Sequence, residues 1–293
     1  MTKQPKPLKD LNLLDRFLFA EAMEDPDTVR DILEIIFGHP MEFEQLPQTE
    51  KEERRNPLQR FIRLDVWAMD TDKAVYDAEV QKRNTHNLPR RSRLYQGMID
   101  SDLLPPGVVD FNKLNDAYVI LISPFDIFGC SRYRYTFQMQ CLEVPGLPLE
   151  DGATRIFLNT HGTDPENISP ELLELLRYME DTSEETSSQC SSPRIHGIQS
   201  RIRQIKSSED IGVKYMQAWE EKILDRLEAL EEGRSLGHLE LIRKKMAKGL
   251  SCRVIADLLE ENEDYIRSLM VAIESHPQLT NEQILELLAE REA

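Results

Sequence analysis

Three side chains within residues 63–81, RLDVWAMDTDKAVYDAEVQ, have the types and the spacing of a metal site. Alternating apolar stretches on either side of a polar tip predict a β-hairpin with its centre near Asp72. Such a hairpin would place Asp65 opposite Glu79, with their Cβ atoms about 4.5–5.5 Å apart. Two carboxylates this close repel each other unless a proton or a cation lies between them, and a hard divalent cation is the natural choice. Gln81 shares a strand face with Glu79 because side chains alternate along a strand.

Spacing alone leaves a second interpretation open for this pair. Acidic residues are common on the wet face of a hairpin, where Asp65 and Glu79 would simply be solvated. The hairpin is therefore a hypothesis for a metal site, and the surrounding chain must supply further support.

A basic segment, KRNTHNLPRRSR at residues 82–93, begins directly after Gln81 and holds five basic residues and no acidic one. The whole chain has a formal charge of −17, which disfavours DNA binding over most of the protein surface. Any contact with DNA must therefore run through a local patch. We expect that patch to comprise Lys82, Arg83, Arg90, Arg91 and Arg93.

Composition indicates a water-soluble protein of one large domain with an appendage, or of two domains. The chain has 293 residues, of which 40% are hydrophobic and 30% charged. It contains no apolar run long enough for a transmembrane helix, and its N-terminus lacks the apolar region of a secretory signal. The four cysteines have no metal-ligand spacing, so we expect reduced thiols in a cytoplasmic protein without a membrane partner.

The helices and strands predicted around these residues indicate an α/β (α+β) domain, with a mixed central sheet flanked by helices. The signals are apolar periodicity, caps and turn residues. Helices are predicted over 10–23, 26–37, 93–104 and 168–179, and strands over 41–46, 61–69, 74–81, 117–125, 134–144 and 153–160.

The C-terminal third is predicted to be all-α. Residues 181–195, DTSEETSSQCSSPRI, have no apolar period and read as a polar linker. Residues 196–293 are predicted to be helical, with two helices over 213–233 and 236–249, then a pair that resembles a helix-turn-helix. This region would serve packing or homo-oligomerisation rather than base reading, because its second short helix is rich in acids.

The pattern D-(x13)-E-x-Q between two apolar strands resembles the signature of the PD-(D/E)XK nuclease superfamily. Three further blocks, RRSRLYQGMIDSDLLPPGVVDFNKL, AYVILISPFDIFG and DGATRIFLN, resemble its branch of recombination-promoting nucleases and putative transposases. The resemblance covers roughly residues 8–180. It implies a restriction-endonuclease-like fold over residues 1–180 and a Mg²⁺-dependent DNA endonuclease, with Mn²⁺ as an alternative ion, linked to mobile elements, recombination or defence.

The resemblance also assigns roles to residues. Asp65, Glu79 and the backbone carbonyl of Val80 would ligate the metal, and Gln81 takes the position of the usual lysine. An amide can position a water molecule but cannot act as a base, so a Gln81→Lys variant is expected to keep or gain activity. Removing either carboxylate is expected to abolish cleavage and, by relieving repulsion, to raise the metal-free melting temperature.

Further residues match the family at other positions. Arg93 and Tyr95 correspond to an R-x-Y pair in the helix after the hairpin and are expected at the nucleic acid, with Arg93 the principal phosphate contact. Asp15 and Glu34 are candidates for an additional acid. The alternative function is a nuclease fold with weak or no turnover that acts as a DNA- or protein-interaction module, which the missing lysine and the acidic balance favour.

Overall fold

The computed structural model describes residues 5–53, 62–104 and 107–292, and the side chains at 45–53, 62–65 and 289–292 lie outside this description. The chain forms two compact units, residues 1–215 and 216–293. The first unit contains the sheet and the predicted metal hairpin. The second is entirely helical in the part that the structure describes.

A mixed six-stranded sheet forms the centre of the first unit, with the strand order β1-β2-β3-β4-β6-β5. The first three strands pair antiparallel, β3, β4 and β6 pair parallel, and β5 closes the edge antiparallel to β6. The strands are β1 Phe43–Glu53, β2 Ile62–Asp70, β3 Val75–Val80, β4 Ala117–Ser123, β5 Arg134–Phe137 and β6 Ala153–Asn159.

Helices cover both faces of this sheet and extend through the second unit. They are α1 Arg16–Met23, α2 Pro26–Phe37, α3 Leu88–Leu103, α4 Pro170–Glu180, α5 Glu184–Gln189, α6 Pro193–Ser207, α7 Glu209–Met246, α8 Cys252–Leu259, α9 Glu263–Ser275 and α10 Asn281–Glu292. The predicted class, a mixed sheet flanked by helices with an all-α C-terminal region, is confirmed.

The predicted hairpin forms between β2 and β3. Trp67 pairs with Asp77, and the next two pairs follow the same register, so the hairpin is centred on Asp72 as predicted. The recorded ladder ends at Trp67 and Asp77, two residues before Asp65 and Glu79. Their direct opposition therefore stays a prediction.

Alternation along β3 divides its side chains between two hydrophobic cores. Tyr76, Ala78 and Val80 lie in the larger core with α1, α2, α4 and α6. Val75 lies in the second core with residues of α3, such as Tyr95. Because side chains two residues apart share a face, Asp77 and Glu79 also face the α3 layer.

Helix α2 has the bounds predicted from the sequence, and local signals explain both of its ends. Asp25 caps α2 by accepting hydrogen bonds from the backbone N–H groups of Asp27 and Thr28, and Pro26 begins the helix. The helix ends at Gly38, whose φ of 76° is the left-handed conformation that glycine adopts without strain.

Several predicted bounds differ from the structure. Strand β1 runs to Glu53, beyond its predicted end at residue 46, because its pairing with β2 continues over residues 48–53. Strand β5 ends at Phe137, where its pairing with β6 ends. The two helices predicted over 213–249 are one helix, α7, because a single internal glycine such as Gly233 costs only about 1 kcal/mol, which does not stop a long helix.

The predicted polar linker is a folded part of the first unit. Residues 181–195 contain α5, capped by Ser183, and the start of α6, capped by Ser192. Helix α6 places Ile195 and Ile198 in the larger core, fully buried. The first compact unit continues to residue 215, and the two serines in this segment cap helices.

The second unit has its own apolar core, formed by the C-terminal part of α7 together with α8, α9 and α10. Helices α8 and α9 are the predicted pair of short helices, and Asn262 caps α9. Thr280 and Gln283 form a capping box through reciprocal hydrogen bonds of 3.3 and 3.0 Å. No described helix is both long and apolar enough to span a membrane.

Candidate active site

The end of β3 carries a buried carboxylate on the face covered by α3. Glu79 is 1% exposed although it lies only one residue from the end of the strand. The strand then continues into Gln81, whose backbone N–H still donates to the carbonyl of Ile122 at 2.9 Å. This bond extends the β3–β4 pairing and fixes Gln81 on the same side as Glu79.

Arg91, in the first turn of α3, binds both of these side chains. Its Nη2 donates to Oε2 of Glu79 at 2.5 Å, and its Nη1 donates to Oε1 of Gln81 at 2.9 Å. Its Nε donates to the hydroxyl of Tyr95 at 2.5 Å, and its guanidinium carbon lies 4.9 Å from the centroid of that ring. A single planar cation therefore holds the acid, the amide and the phenol together.

Tyr95 supports the site from the core. It is 6% exposed, and burial together with the nearby charge of Glu79 raises the pKa of its hydroxyl to about 12. The phenol thus stays neutral at ordinary pH and accepts the hydrogen bond from Arg91. The predicted contact of Tyr95 with nucleic acid does not fit this burial, because its ring packs in the second core.

The other four predicted basic residues are exposed, but their partners differ. Arg83, Arg90 and Arg93 are exposed. Lys82 instead donates from Nζ to Oδ1 of Asp15 at 2.5 Å. It therefore faces away from Glu79, as the alternation of β3 requires, and it is already paired with an acid.

The two candidate additional acids lie with the helices on the opposite face of the sheet. Asp15 precedes α1 and pairs with Lys82. Glu34 accepts from the backbone N–H of Met41 and forms an ion pair with Arg194 at 2.8 Å. These contacts give Glu34 a role in joining α2 to α6, and the structure does not bring it beside Glu79.

Sequence reasoning missed Asp77, a second acid on the face of Glu79. It is fully buried, two residues before Glu79, and its charge is among the causes of the raised pKa of Tyr95. The period-two spacing of Y-D-A-E-V-Q contains this signal, because Asp77 and Glu79 are two residues apart in one strand. Asp77 doubles the number of acids on this face of β3.

Comparison with protein families identifies the class of this fold. A model of the PD-(D/E)XK nuclease family transposases matches residues 13–233. The chain belongs to this family. The match includes the predicted region of resemblance from residue 13 onward and extends beyond residue 180, in agreement with a first unit that continues to residue 215. Comparisons with curated proteins and with solved structures found no significant match.

The sheet and its flanking helices are consistent with the restriction-endonuclease-like fold of this family. The assignment of the family signature to Asp65, Glu79 and Gln81 stays a prediction. The side chain of Asp65 lies outside the described residues, so its distance to Glu79 is not part of this geometry. Among the side chains that are described, no group of three His, Cys, Asp or Glu residues is arranged as a metal site.

The residues at the end of β3 nevertheless suit a hard divalent cation. The carboxylate of Glu79 accepts a hydrogen bond from a cationic group, the guanidinium of Arg91, which also binds the amide oxygen of Gln81. Oxygen donors are the ligands that Mg²⁺ and Mn²⁺ prefer. The backbone carbonyl of Val80, between the two residues, is a third oxygen at the same strand end, while the Val80 side chain packs in the larger core.

Proposed function

We propose that this family member is a metal-dependent DNA endonuclease that hydrolyses phosphodiester bonds. The observation that carries the proposal is the buried carboxylate of Glu79, held together with Gln81 at the end of β3 by Arg91. A fully buried acid beside exposed arginines is costly for stability and suits a site for a cation and a phosphate. The family, a group of nuclease-type transposases, supports DNA as the substrate.

In this proposal Asp65, Glu79 and the carbonyl of Val80 hold Mg²⁺ or Mn²⁺. The bound ion would stabilise charge on the scissile phosphate and lower the pKa of the attacking water. Gln81 orients that water through its amide, which does not titrate near neutral pH and so cannot act as a base. The exposed guanidinium groups of Arg83, Arg90 and Arg93 neutralise phosphates beside the site. The other three predicted contacts are engaged elsewhere: Tyr95 is buried, Lys82 pairs with Asp15 and Arg91 binds Glu79.

The test is plasmid nicking in Mg²⁺ by the wild type, Asp65→Ala and Glu79→Gln. Both variants should lose cleavage, because each removes one charged oxygen ligand. Glu34→Gln is the matched control: it also removes a paired carboxylate, but on the opposite face of the sheet, so it should retain cleavage. Full cleavage by a folded Glu79→Gln protein would refute the assignment.

An interaction role is a second candidate, favoured by a separate feature on α7. Met216 and Leu230 are 40% and 60% exposed and lie fourteen residues apart, with the half-buried Ile223 midway between them. Apolar residues at intervals of seven are typical of a helix that packs against another helix. We propose self-association through this face, in a cytoplasmic protein with four free thiols.

Light scattering tests the self-association. Leu230→Glu should lower the measured mass if the face joins two copies. The control, Leu224→Glu, alters an equally exposed leucine outside the seven-residue series, at 58% exposure, and should leave the mass unchanged. Equal masses for all three proteins would contradict the proposal.

A further inference from the structure

Arg91 binds both of the side chains that the proposed chemistry needs. Its guanidinium bonds Glu79, the proposed metal ligand, and Gln81, the proposed partner of the attacking water. These contacts lie at the oxygens that would face the ion. Arg91 is therefore the resident counter-ion of this carboxylate.

A divalent cation and a guanidinium cannot both occupy this point. Like charges within a few ångströms repel strongly, and repulsion is screened little where Glu79 is 1% exposed. Entry of the ion at Oε2 of Glu79 therefore requires Arg91 to leave. The same pair stabilises the buried carboxylate before the ion arrives, because a buried charge without a partner is costly.

We propose that Arg91 is an exchangeable counter-ion that the divalent cation displaces, and that the displaced guanidinium then binds a phosphate of the DNA. This inference rests on the proposed function. It makes cation binding and DNA binding cooperative: the ion releases a cation that DNA can use, and DNA, by holding the released Arg91, favours entry of the ion.

The surroundings of Arg91 allow such an exchange. Its side chain is 31% exposed, so part of it already lies in solvent. It lies in the first turn of α3, next to the exposed Arg90 and two residues before the exposed Arg93. A rotation of the long side chain toward solvent would bring a further positive charge to that patch.

The first test measures cation binding without DNA. Mn²⁺ is titrated into the wild type, Arg91→Gln and Glu79→Gln, and the free ion is followed by electron paramagnetic resonance. Arg91→Gln should bind Mn²⁺ about tenfold more tightly than the wild type, equivalent to about 1.4 kcal/mol, because no guanidinium has to be displaced. Arg30→Gln, which removes an arginine that pairs with Asp27 on α2, is the matched control and should bind like the wild type.

The variants separate the two hypotheses. If Glu79→Gln abolishes binding while Arg91→Gln binds no more tightly than the wild type, the site holds a metal but the exchange is refuted. If Glu79→Gln binds Mn²⁺ as the wild type does, or if neither the wild type nor Arg91→Gln binds it, both the exchange and the proposed metal site fail.

The second test measures DNA binding by fluorescence anisotropy of a labelled duplex, with and without Ca²⁺. Arg91→Gln should weaken binding several-fold with Ca²⁺ but leave it unchanged in chelator, where Arg91 is held by Glu79. Arg90→Gln should weaken binding under both conditions. An Arg91→Gln effect of the same size with and without Ca²⁺ would overturn the exchange.

Discussion

The substitution Glu79→Gln tests the central contact of the site without DNA or metal. It keeps the shape of the side chain and removes the charge that binds Arg91 at 2.5 Å. If Asp65 and Glu79 repel each other, as the hairpin pattern predicts, removing one charge would stabilise the fold. The structure predicts the opposite, because the carboxylate is compensated by a guanidinium.

The expected size follows from the burial of the two groups. A hydrogen bond to a charged group contributes about 1.5–3 kcal/mol, and we take the lower end, about 1.5 kcal/mol, because Arg91 is 31% exposed. In a unit of this size, 1 kcal/mol corresponds to about 2–4 °C. Glu79→Gln should therefore lower the melting temperature in chelator by about 3–6 °C.

Calorimetry of a double-mutant cycle isolates this contact. The cycle combines Glu79→Gln with Arg91→Gln, and each single variant is compared with the double variant in chelator. The coupling between the two positions should be stabilising by about 1–2 kcal/mol. A parallel cycle on Glu34 and Arg194, an ion pair at 2.8 Å far from the site, shows what an ordinary pair contributes.

The result that would refute this reasoning is a higher melting temperature for Glu79→Gln in chelator, with no coupling to Arg91. Repulsion between carboxylates would then dominate the site. The ion pair between Arg91 and Glu79 would then contribute no more to stability than an exposed ion pair does, about 0–1 kcal/mol.

Three further predictions concern the surrounding residues. Gln81→Lys should keep plasmid nicking but lower the melting temperature in chelator, because its ammonium group would lie beside the guanidinium of Arg91; a variant that is folded and inactive would show that the amide is required. Changing Arg90 and Arg93 to Glu should make the slope of log K against log salt shallower by about two units, from about −3. The binding constant K is measured by anisotropy on a labelled duplex, and an unchanged slope would mean that DNA binds another part of the protein surface. The raised pKa of Tyr95, about 12, means that the folded protein holds this proton more tightly than the unfolded chain, so stability falls as the pH rises from about 10 to 12. Tyr95→Phe should lack this part of the alkaline loss in pH-dependent denaturation curves, and identical curves would contradict the cause given.

Deletion experiments on the C-terminal region depend on where the first unit ends. A truncation at Ser192, which the predicted linker would suggest, removes α6 and with it the buried Ile195 and Ile198. Such a protein would lose part of its core. A cut after Tyr215, at the boundary between the two compact units, preserves that core.

The sequence by itself determined the features that depend on local chemistry. The cap at Asp25 and the glycine at Gly38 define α2, and the capping box at Thr280 begins α10, because these signals act within a few residues. The hairpin centred on Asp72 followed from alternation, and Glu79 and Gln81 share a face for the same reason.

Only the tertiary structure decided what surrounds these residues. Arg91 is twelve residues from Glu79, and a list of five basic residues cannot show which one turns inward; the packing of α3 on the sheet selects it. The same packing buries Tyr95 and gives Asp77 a place beside Glu79. Partner choice across a sheet depends on the relative placement of whole elements, and that placement is fixed by the burial of apolar surface rather than by local spacing.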